Sequence, residues 1–391
     1  MKNFVFHNPT KILFGKDTTP AIGPETAALG KKALMIYGEG SIKKNTIYEQ
    51  VTKSLRDAGV SIIEHSGVQS NPVLSHVRQG ITLAKEHGAD VIVAVGGGSV
   101  IDSAKAIAAG AIVEHDVWKF FIGKKSIRGA LPLTCVLTLA ASGSEMNSGM
   151  VVTNEEKNQK YGFANKHLYP RVSILDPTAT FSVSPQYTAY GAVDAIAHVL
   201  EYYFTNQEPY TPVQDHFMEG LVKSTMDSCD RVLQNLEDYD ARADLMWAAT
   251  LALNGLTGAG LGKVGFPMHM IEHSLSALYN VAHGAGLSVV IPGWMTYQSS
   301  QQTPEKFAQF AERVFGINEG SMEKQAAKGI QALVSWFKKI RTPICLDDLN
   351  IPVQDISGIA KNAVGLAKIW RMPEYTEEKI EEIVKLCVQS Y

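Results

Sequence analysis

Over its first half the chain alternates short, continuous apolar runs with segments of helical period. KKALMIYG (residues 31–38) is an apolar run closed by glycine, and residues 47–58 follow with a helical pattern. GVSIIEHSGV (59–68) reads as a second strand, residues 73–87 as a second helix, and ADVIVAVGGGS (89–99) as a third strand. The unbroken Val and Ile content of that third run fits a strand covered on both faces. Residues 102–112 form an Ala-rich helix, LPLTCVLTL (131–139) a fourth strand and RVSILDP (171–177) the last. MVVTN (150–154), a polar EEKNQK turn and YGF (161–163) read as a hairpin laid on that core. Alternating strand and helix predict a parallel sheet with crossover helices, a Rossmann-like α/β domain.

The texture changes near Asp176-Pro177. Ser184-Pro185 is a helix start, and the helical period then runs to residue 204. Further helices are predicted over 211–233, 240–256, 268–278, 304–315, 321–340, 353–367 and 376–389. The expected division is a Rossmann-like domain over residues 1–180 and an all-α domain over 181–391, sharing a large interface with a ligand cleft.

Bulk properties narrow the partners. The chain has 391 residues, room for two or three cores, and 36 basic against 39 acidic residues without a basic block. Nucleic acid is therefore not an expected partner. The N-terminal stretch lacks a signal-peptide pattern and no apolar run is long enough to span a bilayer, so a soluble, cytoplasmic protein is expected. Cys135, Cys229, Cys345 and Cys387 are widely spaced and form no CxxC pair, which argues against a disulfide framework or a thiolate zinc site.

Three motifs point to a nucleotide. In GGGSVIDSAK (96–105) a buried strand runs into three glycines, Ser99 and a helix. Backbone N–H groups left uncovered at a helix N-terminus suit a pyrophosphate. TLAASGSEMN (138–147) follows a strand and offers Thr138, Ser142 and Asn147 as hydrogen-bonding groups beside small residues that admit a flat ring. YGEGS (37–41) closes the first strand; there Glu39 can accept from the adenosine ribose, and its charge would repel a 2′-phosphate, which favours NAD over NADP.

The densest chemistry lies in GAVDAIAHVLE (191–201) and FPMHMIEHSLSALYNVAHGAG (266–286). Asp194 and His198 are four apart on one helix face, as are His269 and His273, and His283 sits in a Gly-flanked turn that can return toward them. One carboxylate and two or three imidazoles around a divalent ion, with a position left open, is the simplest single cause. Spacing does not decide which of His269, His273 and His283 is spare.

Together GGGSVIDSAK, LTLAASGSE, GAVDAIAHVLE and HMIEHSLSALYNVAHG resemble the iron-containing, group III alcohol dehydrogenases, in the branch of butanol and broad aldehyde reductases, over essentially the whole chain. The resemblance implies the Rossmann-like plus all-α fold shared with dehydroquinate synthases. It implies a metal, Fe(II) or alternatively Zn(II), on Asp194, His198, His269 and His283, with His273 as the spare histidine facing substrate and nicotinamide. It also places Gly97, Gly98 and Ser99 on the pyrophosphate, and Asp102, Thr138, Ser142, Asn147 and Lys160 in the cofactor region. Where NADP-preferring relatives carry GGGS, this chain has Gly38, Glu39, Gly40 and Ser41, again favouring NAD. Glycerol dehydrogenases and dehydroquinate synthases use three protein ligands; a fourth, His283, separates this chain from them. The implied activity is metal-assisted hydride transfer between a nicotinamide cofactor and a small primary alcohol or aldehyde, in a homodimer; the alternatives are glycerol-dehydrogenase-like polyol oxidation, reduction of a polar or charged small aldehyde, or an inactive metal- or nucleotide-binding relative.

Overall fold

The computed structural model describes residues 1–301 and 304–388. It contains two compact units: residues 7–184 with 235–254, and residues 1–6 with 185–234 and 255 onward. The first unit is built on a six-stranded sheet. Its strands are β1 (Lys11–Phe14), β2 (Lys32–Gly38), β3 (Ser61–Val68), β4 (Val91–Gly96), β5 (Leu133–Leu137) and, after a separate hairpin of β6 (Gly149–Asn154) and β7 (Gln159–Ala164), β8 (Val172–Leu175). The sheet order is β1-β8-β5-β4-β2-β3 and every pairing in it is parallel. All residues of β4 and β5 are buried, which is why these strands read as unbroken apolar runs rather than alternating ones. Each buried Val, Ile or Leu there contributes about 1.5–3 kcal/mol of hydrophobic stabilisation.

The helices of this unit are α1 (Ile22–Ala27), α2 (Ile47–Asp57), α3 (Leu74–His87), α4 (Gly98–Gly110) and the short α5 (Trp118–Phe121). The edge strand β1 was not foreseen: only four residues long and exposed at both ends, KILF carries no alternation to mark it.

The second unit is helical: α6 (Pro185–Thr205) and α7 (Pro212–Gln234) come first, and α8 (Tyr239–Ala252) then returns to the sheet-bearing unit. There Thr250 Oγ1 donates to Glu145 Oε1 at 2.5 Å, and the Trp247 ring meets Phe14 edge-on. A cut at residues 180/181 thus leaves residues 1–6 and 235–254 in the other compact unit, because α8 buries its apolar side against the α/β core.

The chain continues with α9 (Pro267–Tyr279), α10 (His283–Gln301), α11 (Glu305–Phe315), α12 (Met322–Lys339), α13 (Ile356–Ile369) and α14 (Glu377–Leu386). The last helix was expected to reach Gln389, which lies outside the described residues. α10 was read only as a turn, since Gly284, Gly286, Pro292 and Gly293 are poor helix formers. Packing overrides that propensity: a Cβ on Gly293 would lie 2.4 Å from Cys387 Sγ, so glycine is what lets α10 approach the C-terminal end of α14. Among the described residues no helix is long and apolar enough to cross a membrane.

Candidate functional site

Three helices of the helical unit bring five ligand-type side chains together. α6 presents Asp194 and His198 one turn apart, α9 presents His269 and His273, and His283 is the first residue of α10. The chain reverses between α9 and α10 at Asn280, which takes the left-handed conformation (φ 52°) that ends α9. Gly284 then lets α10 start against α6, since a Cβ there would lie 2.1 Å from the Tyr190 carbonyl oxygen.

Three imidazole nitrogens face one carboxylate oxygen. His198 Nδ1, His269 Nε2 and His283 Nε2 each lie 3.6 Å from Asp194 Oδ1. At that distance none is a hydrogen bond. Ligand atoms ~2.1 Å from one tetrahedral ion are about 3.4 Å apart, so the spacing is that of donors around a common ion. Asp194 Oδ1, His198 Nδ1 and His269 Nε2 are buried and have no hydrogen-bond partner among the described residues. Such atoms cost roughly 1–3 kcal/mol each when left unmatched, and a cation would answer all three at once. The residues therefore fit a divalent metal.

Electrostatics agree. Burial pushes the Asp194 carboxyl up, but the imidazoles of His198, His283 and His269 outweigh it and hold the group well below the usual carboxylate range. Burial, helped by the neighbouring His269 and His283, drives His198 down to about 3 despite Asp194, leaving its nitrogen a free lone pair. Burial also opposes charge on His269, yet that ring lies between Asp194 and Glu201, and the two carboxylates raise it to about 9. A metal would displace the proton held there.

His273 stands beside this group. Its ring is buried, 5.5 Å from the His283 ring and edge-on to Trp370 at 5.4 Å. Half-buried Phe266 packs against His269 (5.6 Å) and His198 (6.5 Å). Glu272, His273 and His283 also bring one atom each within 4.8 Å of one another. One Glu272 oxygen meets His283 Nδ1 and the other accepts from Ser276 Oγ, so this group is the outer side of the same centre.

The glycine turn lies in the α/β unit. β4 ends at Gly96, Gly97 precedes α4, and the helix starts at Gly98. A Cβ on Gly98 would fall 2.2 Å from Ser142 Oγ, so the two motifs 96–105 and 138–147 touch. Ser99 Oγ donates to the Ser70 carbonyl, while Thr138 and Ser142 are half-buried. Asp102 is differently engaged: Oδ1 accepts from Ser144 Oγ at 2.6 Å and Oδ2 from Val151 N at 2.9 Å. Asn147 is held at both ends, and Lys160 Nζ donates to Asn71 Oδ1 at 3.1 Å.

The profile of the family described as iron-containing alcohol dehydrogenase matches residues 9–177, and that of the C-terminal domain of the same family matches residues 188–391. The chain belongs to the iron-containing alcohol dehydrogenase family. It is 38% identical to a probable NADH-dependent butanol dehydrogenase 1 of Bacillus subtilis over 98% of this chain and 99% of that protein. It is 36% identical to the NADPH-dependent aldehyde reductase YqhD of Escherichia coli over 92% of both. Among solved structures, the NADH-dependent butanol dehydrogenase A of Thermotoga maritima matches with a TM-score of 0.95 and 46% identity over 100% of this chain and 99% of that one. As a member of this family the chain is an oxidoreductase, an alcohol dehydrogenase or aldehyde reductase working with a nicotinamide cofactor.

Three residues near the two sites carry no role legible in the sequence. Lys105, Glu201 and Glu272 are fully buried charged side chains. The signal for the glutamates was present: each comes three residues after a histidine in an otherwise apolar helix, in HVLE and HMIE.

Proposed function

We propose that this dehydrogenase holds Fe(II), with Zn(II) as the alternative ion, on Asp194, His198, His269 and His283. In this reading it interconverts small primary aldehydes and alcohols with NAD as the preferred dinucleotide. The observation that supports it most is the set of three imidazole nitrogens, each 3.6 Å from Asp194 Oδ1. A set of one carboxylate and three imidazoles without thiolate suits either ion. When bound, the ion supplies Lewis acidity to a carbonyl oxygen or lowers the pKa of an alcohol.

The chain's own residues do the rest. Gly97, Gly98 and Ser99 offer the first backbone N–H groups of α4 to the pyrophosphate, and Thr138 and Ser142 line the same turn. Asp102 and Asn147 hold the loop that carries Ser142, and Lys160 steadies the hairpin strand behind it. His273, held edge-on by Trp370, handles the proton exchanged with the alcohol oxygen, a task to which an imidazole is suited. Phe266 and Trp370 present apolar faces beside the histidines, which suits a short apolar substrate.

Glu39 follows β2 on the surface, within the segment Gly38 to Ser41. Its charge disfavours the extra phosphate of NADP. Exposed Phe4, Val5 and Phe6 at the N-terminus support a homodimer, since such side chains favour burial against a second copy.

The deciding experiment is metal analysis of the purified protein followed by an aldehyde panel with NADH and NADPH. Butanal reduction should stop on chelation and return with Fe(II), and Glu39→Gly should raise kcat/KM for NADPH about tenfold. Full turnover by the chelated, metal-free protein would overturn the metal reading.

A further inference from the structure

Two histidines of the centre are followed one helical turn later by a glutamate, His198 by Glu201 and His269 by Glu272. Both glutamates are completely buried. Neither is bonded to the histidine of its own turn; each reaches a ligand on another helix of the site. Glu201 Oε1, on α6, accepts from Nδ1 of His269 at 3.1 Å and from its backbone N–H at 2.9 Å. Glu272 Oε2, on α9, meets Nδ1 of His283, while its Oε1 accepts from Ser276 Oγ at 2.5 Å. The next turn of α10 leaves no slack around that acid, because a Cβ on Gly286 would fall 2.7 Å from both Cγ and Oε1 of Glu272.

An imidazole that donates its Nδ1–H to a carboxylate carries its lone pair on Nε2. In both histidines Nε2 is the nitrogen that faces Asp194. His198 differs, since it presents Nδ1 instead. Burying two further acids next to Asp194 is expensive unless positive charge lies close by.

We propose that Glu201 and Glu272 are positioning residues of the metal centre, each fixing the tautomer and orientation of a ligand histidine on another helix, His269 and His283 respectively, and adding buried negative charge that strengthens binding of a dication. The two acids chain the helices in order, α6 to α9 through Glu201 and α9 to α10 through Glu272, so the ligand set is assembled before an ion arrives. This inference rests on the ligand set proposed above.

The test is titration of Zn(II) into the metal-free, full-length protein in competition with a chromophoric chelator, with Co(II) absorption as a second reading. Glu201→Gln and Glu272→Gln keep an acceptor for Nδ1–H and lose the charge; the leucine variants lose both. Zn(II) affinity should fall about tenfold in the glutamine variants and about a hundredfold in the leucine variants. The Co(II) band should keep its shape with glutamine and change with leucine, a distinction that a merely structural role would not produce. Gly286→Ala, which displaces Glu272 without removing charge, should also weaken Zn(II) about tenfold. Wild-type Zn(II) affinity in both glutamine variants, with His283→Ala unable to bind, overturns this inference and leaves the ligand set standing, even where a leucine variant fails to fold. Wild-type binding by His283→Ala would instead overturn the ligand set itself.

Discussion

His283 Nε2 stands 3.6 Å from Asp194 Oδ1, although the two residues come from different helices and His283 retains some exposure (25% of its side chain). Its neighbour His273 is more deeply buried, and its ring lies 5.5 Å from the His283 ring and edge-on to Trp370. Burial alone therefore does not rank these histidines; the atom each one aims at Asp194 does. His283→Ala should lose the metal and turnover together. His273→Ala should keep a full complement of metal while kcat falls about a hundredfold or more. Metal content by mass spectrometry, set beside steady-state rates, separates the two, and metal loss in His273→Ala would exchange the assigned roles.

Gly98 and Ser142 link the two nucleotide motifs. Alanine is a better helix former than glycine, so Gly98→Ala should favour α4 on propensity alone. The Cβ would nevertheless fall 2.2 Å from Ser142 Oγ, and either the turn or the 138–147 loop must move. NADH affinity should drop about tenfold or more, with Zn(II) binding unchanged. Ser142→Gly in the same chain should recover part of the loss, and a fluorescence titration of NADH across the four variants reads this coupling.

Much of this was legible in the residues. The parallel sheet follows from unbroken Val and Ile runs ending in glycine, and the i,i+4 pair Asp194/His198 announces a shared face. What the sequence did not reveal depends on partners far along the chain. α10 looked like a turn because its glycines serve close packing against α6, Glu272 and α14, which local propensity does not record. Glu201 and Glu272 were passed over because a single acid in a helix usually faces water, and only the fold places each against a histidine of another helix. Residues 240–256 read as one more helix of the helical half, yet α8 belongs with the sheet through Thr250 and Trp247.

Lys105 is fully buried, and its ammonium donates to Ser144 Oγ (2.8 Å), to the carbonyl and side chain of Asn147 (2.9 and 3.1 Å) and to the Gly149 carbonyl (2.7 Å). Burial lowers it to about 8 against the pull of Asp102, so it remains charged at neutral pH. Lys105→Met keeps the length of the side chain but leaves four loop acceptors without their donor and removes the positive charge near Asp102. Each buried acceptor left unmatched costs about 1–3 kcal/mol, so the loss should lower Tm on the order of 10 °C for a unit of this size. Asp102→Asn in the same chain should restore part of it. A calorimetric Tm for Lys105→Met within 2 °C or so of wild type would show that the ammonium is not what fastens the loop to α4.

His65 and His76 stack with ring centroids 4.0 Å apart, each donating Nε2–H to a backbone carbonyl, His65 to His76 and His76 to Ser66. Burial first, and the neighbouring His76 ring second, lower His65 from 6.5 to about 4. The unfolded chain therefore takes up a proton near pH 6.5 that the folded protein refuses until about pH 4. Between those values the unfolded state binds more protons, so this contribution to stability is complete above pH 6.5 and is lost as pH falls through the window. Its full size is at most about 3 kcal/mol. Other groups titrate over the same range, so the informative quantity is the difference from His65→Phe, which keeps a planar ring but cannot take up the proton. Between pH 7 and 4.5 the wild type should lose about 2 kcal/mol more unfolding free energy than His65→Phe in urea titrations. Parallel loss in both proteins would mean that the folded state accepts the proton at His65 readily, and that the stacked pair tolerates charge despite its burial.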